Sequence, residues 1–297
     1  MQTSSLDASF GPGQPVKPWI KYAPTIITVG ITAIMAVHGR IAQPLHYNEF
    51  ADGSALFGIH HAADVFSNAG FALVAIWGWL TLWPRRSSEP LRAGWPGYRL
   101  FLIGLFLTAF GSGFYHLAPD NARLIWDRLP IALACAGLLV GVRGDTQPGV
   151  KTEIEAIVLG LFAVASVAWW VITDSSGADD LRPYLLLQIL PLILIPLWQA
   201  MHRAPRTDRI AFAAAMGLYV VAKIAEVLDH EIANSFGIVS GHTLKHLIAT
   251  LATAAVVWGL TRRFSARASR SRCSRGHGPF AGGQVSAQNE LVRSRPS

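Results

Sequence analysis

The sequence predicts an all-α integral membrane protein: a seven-transmembrane-helix bundle with one extra transmembrane helix at its N-terminus. Three observations lead there. The chain is 52% hydrophobic and only 14% charged, against about 25% charged in soluble domains. Its apolar residues gather in blocks of about 20, the length that crosses ~30 Å of hydrocarbon. The segments between the blocks alternate in charge along the chain, as the loops of a multi-pass protein do.

Eight blocks are apparent: 23–41, 62–83, 98–117, 124–142, 153–173, 183–201, 209–228 and 241–262. In lipid each must satisfy its own backbone, so each is expected to be helical. Pro191 and Pro196 predict a kink in the sixth. Arg123, Asp127 and Arg128 crowd the start of the fourth. The chain then divides into an N-terminal segment (1–22), the extra helix with its outer loop (23–61), the seven-helix domain (62–262) and a basic tail (263–297). The N-terminal segment lacks the features of a cleaved signal peptide, so the first block is expected to persist. The tail is rich in Ser, Arg and Gly without apolar periodicity and reads as disordered.

Lys17 and Lys21, Arg85, Arg86 and Arg92, then Arg203, Arg206 and Arg209 occupy one set of connections. The opposite set carries Glu49 and Asp52, Asp174, Asp179 and Asp180, then Asp229 and Glu231. The positive-inside rule puts the basic set, and both termini, in the cytoplasm. Eight spans satisfy that parity. The net charge of +7 is thereby a topology signal, and no nucleic-acid partner is expected. Cys135 and Cys273 suggest neither a disulfide nor a cysteine metal site.

Polar residues within spans are costly and therefore mark function. Ser112 and His116 lie one helical turn apart at the outer end of a span, and Asp127 opens the next. His242 and His246 are also one turn apart, at the outer start of the last span. Three histidines at one depth suit Zn2+, with a fourth position left for water. Asp127 is placed to move that water's proton, and Ser112 to hydrogen-bond a developing oxyanion. The plain alternatives are a chance H-x-x-x-H pair, a packing serine, and an interfacial aspartate paired with Arg123 or Arg128. Other readings are a Lys223–Glu226 ion pair, Asp64 as a helix cap or a support for a metal ligand, and an interfacial aromatic belt including Trp83, Trp95, Tyr98 and Trp126. His60 and His61 are taken as interfacial.

The order S-x-x-x-H, an aspartate some ten residues on, and a C-terminal H-x-x-x-H resembles the alkaline ceramidases. It also resembles the wider superfamily of adiponectin-receptor-like membrane hydrolases. The string 64-DVFSNAGF-71 is similar to the family's S-N-x-x-F element, and 126-WDRLP-130 to its D-E-L-P segment. The resemblance spans roughly 60–262. It implies Zn2+ on His116, His242 and His246, proton transfer by Asp127, oxyanion stabilisation by Ser112, and a seven-helix fold with substrate entering from lipid. The family's acidic calcium-binding stretch is not reproduced: Glu49, Asp52 and Asp64 stand at other spacings. Ca2+ is therefore carried over only as an open question.

The expected function is zinc-dependent cleavage of an N-acyl sphingoid base or related lipid amide by Zn-bound hydroxide, at the outer leaflet. The expected partners are the membrane and a lipid substrate, with no protein partner. The rivals are a metal-binding receptor or sensor and a His/Asp-based transporter. A transporter usually carries paired broken helices, and only the Pro191/Pro196 segment fits that pattern.

Overall fold

A computed structural model describes residues 20–275, with side chains for 21–264. Among these, seven helices are long and apolar enough to cross a membrane, which marks a multi-pass membrane protein. The first is α2 (Ala62–Ser67) continued by α3 (Ala69–Leu82). A short α4 (Glu89–Arg92) leads into α5 (Trp95–Leu117), α6 (Asn121–Thr146), α7 (Thr152–Ser175) and α8 (Arg182–Met201). Then come α9 (Arg206–Val227), the short α10 (Asp229–Phe236) and α11 (Gly241–Arg275).

The helix before the bundle, α1 (Ala23–His38), has 16 residues and buries none of them. At ~1.5 Å per residue it is about 24 Å long, short of the ~30 Å hydrocarbon core. It ends earlier than the apolar block 23–41 because Gly39 (φ 84) breaks it. Residues 229–240, expected as a plain loop, contain α10. The last helix continues past residue 262 to Arg275, and the rest of the expected disordered tail (276–297), like residues 1–19, lies outside the described residues. The kink expected in α8 does not interrupt its assignment: the helix runs on through both prolines.

The α5–α6 pair sets the site. Gly97, Gly104 and Gly111 recur every seventh residue along α5 and meet α6 at Gly137, Gly141, Ala134 and the Trp126 carbonyl. A Cβ at Gly104 would lie 2.6 Å from the Ala134 nitrogen. Small residues in this register let two backbones close together. The close pairing holds the end of α5, with Ser112 and His116, against the start of α6, with Asp127.

Residues 39–61 lie over the same end of the bundle. Gln43 N donates to Asp179 (2.5 Å) and Ile41 N to Asp180 (3.3 Å). Asn48 accepts from Tyr115 Oη (2.7 Å), and Ala51 N donates to Asp229 (2.9 Å). The segment closes in the small hairpin of β1 (Ala55–Leu56) and β2 (Ile59–His60). At the other end, Arg263 bridges Asp145 (2.6 Å) and Asp208 (3.1 Å) and donates to the Pro90 carbonyl (3.0 Å). Tyr98 hydrogen-bonds Asp145 there and is buried. It is thus a member of a buried network and not of an interfacial belt. Trp95 is buried as well, whereas Trp83 and Trp126 are exposed.

Candidate metal centre

The expected histidines converge. His116 closes α5, His242 and His246 sit on the first turns of α11, and all three are buried. Their ligand nitrogens all lie within 4.8 Å of one another, and the rings meet at 4.7–5.0 Å between centroids. A tetrahedral zinc site with bonds of ~2.0–2.1 Å separates its nitrogens by about 3.4 Å, so modest side-chain rotation closes the set.

Ser67 Oγ and Asn68 Nδ2 both approach His246 Nδ1, at 2.9 and 3.3 Å. These contacts occupy Nδ1 and leave His246 Nε2 as the ligand atom. His242 Nε2 lies 3.3 Å from Lys245 Nζ. An ammonium only donates, so this nitrogen presents a lone pair, and it already faces a cation. His116 Nδ1 is buried without a hydrogen-bond partner. An orphaned imidazole nitrogen and two directed lone pairs fit a divalent metal. Lys245 opposes it by charge, but its ammonium is held by Glu226 at 2.6 Å.

The frame around the histidines uses three buried aspartates. Asp64 accepts from Thr243 Oγ1 (2.5 Å) and Ser240 Oγ (3.2 Å), which ties α2 to the start of α11. Its role is to support the helix that carries the histidines. Asp229 accepts from His242 N (2.7 Å) as well as from Ala51 N. Asp52 accepts from Ser54 N (2.8 Å) and Asp64 N (2.9 Å). Glu49 instead pairs with His46 on the surface. Of the acidic residues expected before and at the first core helix, Asp52 clamps backbone N–H groups, Asp64 receives hydroxyls and Glu49 pairs with a histidine. His61 gives its Nδ1 to the Asp52 carbonyl (2.6 Å), and His60 is exposed.

Ser112 and Asp127 are both buried and line one cavity with His246. Asp127 takes neither arginine as a salt-bridge partner: Arg123 pairs with Asp120 (3.0 Å), and Arg128 donates to Gln43 (2.7 Å). The cavity holds about 470 Å³, within the ~300–1,000 Å³ of small-molecule sites. Its walls include Phe101, Leu105, Cys135, Met216, Ala252 and Val256. From Ser112 to Phe101 is 11 residues of α5, about 16 Å at ~1.5 Å per residue.

Four participants were not singled out from the sequence. Phe50 lies over the cluster, 4.7 Å from His116 and 4.3 Å from His242 between ring centroids. Ser67 and Asn68 sit at the α2–α3 break, where the S-N-x-x-F resemblance fell, and that resemblance was the one available signal. Lys245 joins the expected Lys223–Glu226 pair, which is formed. Lys245 stands between His242 and His246 as a charge within a span, which was the signal available for it. Comparison with known proteins yields nothing to add: no family model matches the chain, and no curated protein matches it.

Proposed function

We propose that this chain is a zinc-dependent intramembrane hydrolase, ceramidase-like, that cleaves an N-acyl sphingoid base or related lipid amide to fatty acid and amine. One observation carries the reading: a buried three-histidine cluster contributes His246 to the wall of an apolar cavity that Asp127 and Ser112 also line. The α5 stretch from Ser112 to Phe101 that lines the cavity, about 16 Å, is close to half of a ~30 Å hydrocarbon core. The cavity thus suits one lipid chain of one leaflet, with the amide at the histidine end.

Zinc on His116, His242 and His246 would supply Lewis acidity and a water made acidic near neutral pH. The protein's own groups would do the rest. Asp127 accepts the proton of the attacking water and returns it to the departing amine nitrogen. The Ser112 hydroxyl donates to the carbonyl oxygen as charge develops there. Phe50 keeps bulk water from the head of the cavity, so entry is from the lipid side. Apolar walls favour this reading over a transporter, which needs a polar path. The loop charges further favour cytoplasmic termini, with α1 as an eighth span and the site at the outer leaflet.

The test is metal analysis of the purified protein together with fatty-acid release from a panel of lipid amides. About one zinc per chain and release abolished in His116→Ala are expected. A metal-replete protein that cleaves no lipid amide would sink the proposal.

A further inference from the structure

Arg128 is the most unusual charge in the molecule. It lies inside α6, is 2% exposed, and forms part of the cavity lining. Its Nη2 donates to Gln43 Oε1 at 2.7 Å. Its Nε and Nη1 are buried without a partner. No carboxylate pairs with it among the described residues. Aromatic rings hold it instead: Trp170 at 4.0 Å, Tyr47 at 5.1 Å and Tyr184 at 5.4 Å from the guanidinium carbon to the ring centroid. Such a cage fixes the side chain. It does not supply the anion that a buried cation calls for.

The rest of the polar wall leans the same way. Glu226 is shared between Lys223 and Lys245, so that trio carries a surplus positive charge. Lys245 has partners for two of its three protons, Glu226 and His242. Asp127 is the one other acid on the cavity wall. Before any metal is counted, three cations face two carboxylates in a chamber with apolar walls. A neutral lipid amide leaves that surplus unanswered.

We propose that the lipid bound here is acidic: its chain fills the apolar cavity, and a carboxylate or phosphate oxygen on its polar part is received by Arg128, with Lys245 as the second cation of the chamber. This rests on reading the cavity as a lipid site, and it narrows the substrate to a lipid amide that carries an acid group close to the amide. Arg128 is then a specificity-determining residue and takes no part in bond cleavage.

Two matched pairs test it, each differing only by the acid group. N-palmitoylglycine is compared with N-palmitoylethanolamine, and ceramide 1-phosphate with ceramide. Binding to the full-length, zinc-loaded protein in an uncharged detergent is followed by titration calorimetry, and cleavage is assayed in parallel. In at least one pair the acid should bind about tenfold tighter or more, the factor that one hydrogen bond to a charged group supplies. The pair that shows it identifies carboxylate or phosphate as the source. Arg128→Gln should bring that ratio to within about twofold, while Arg128→Lys, which keeps the charge and loses the planar fork, should retain part of it. A merely structural arginine would change melting temperature and leave the ratio alone. A wild-type ratio near one in both pairs overturns the proposal even if no variant folds, and so does a ratio that survives in Arg128→Gln. Acids that bind but are never cleaved would count against the hydrolase and leave this inference standing. Cleavage of neutral ceramide without acid binding would do the reverse.

Discussion

Two polar clusters occupy opposite ends of the same bundle, and they are built on different terms. At one end Arg263 reaches Asp145, Asp208 and the Pro90 carbonyl, and Tyr98 completes the set. Its two carboxylates share one cation, and it joins α5, α6, α9 and α11. At the other end His116 Nδ1, Asn68 Oδ1, Asp64 Oδ2 and two Arg128 nitrogens are buried with no partner. A closed network is a lock. An open one, kept open at the cost of several unsatisfied groups, is a site prepared for something that is not part of the chain.

Substitutions should separate the two ends. The largest effect is expected from Asp127→Asn, which keeps shape and removes the proton acceptor. Lipid-amide cleavage should fall by about 10²–10⁴-fold, while zinc content and melting temperature stay near wild type. Arg263→Ala should do the opposite. It leaves Asp145 and Asp208 without their shared cation, so melting temperature should fall, read by thermal or denaturant unfolding in detergent. Cleavage per folded molecule should persist; equal loss of zinc would mean the two ends are not independent.

Ser67→Ala probes the frame of the open site. Without the Ser67 hydroxyl at His246 Nδ1, zinc affinity should weaken by about 10–100-fold, seen in competition with a chelator. Unchanged affinity would show that Ser67 does not orient the ring.

The smallest effect concerns the connection between α7 and α8. Burial pushes the Asp180 carboxyl up, but hydrogen bonds from Arg182, Trp169 and the Ile41 backbone outweigh this and hold it at about 2, below its ordinary 3.8. A lowered folded value stabilises above the ordinary one, and that stabilisation is lost as pH falls through about 2. The melting-temperature gap between wild type and Asp180→Asn should therefore be constant above about pH 4 and close on acidification towards pH 2. A gap that widens on acidification would reverse the assignment.

Much of the fold was legible because hydrocarbon imposes length. Seven of the eight apolar blocks became spans, with ends shifted by a few residues where the chain continued helical beyond the apolar run, as at Asn121–Thr146 around 124–142. The 97–104–111 glycine register was also present to be read, and it predicts the α5–α6 contact. The first block was harder, since α1 buries nothing against the bundle and packing does not fix its length. Tyr98 and Trp95 were misplaced because an aromatic near a helix end has the same local signature whether it meets lipid headgroups or a buried aspartate.

The sequence by itself determined which residues share a face: Ser112 with His116, and His242 with His246, since four residues make one turn. It also determined that these polar groups stand near span ends. Only the tertiary structure decided that the two faces meet, that Phe50 covers them, that Lys245 answers Glu226, and that Arg128 answers no acid at all. Helical periodicity is local and repeats every few residues. Whether a buried charge has a partner depends on groups far off in sequence, 85 positions for Gln43 and Arg128 and 179 for Thr243 and Asp64, and no local pattern carries such distances.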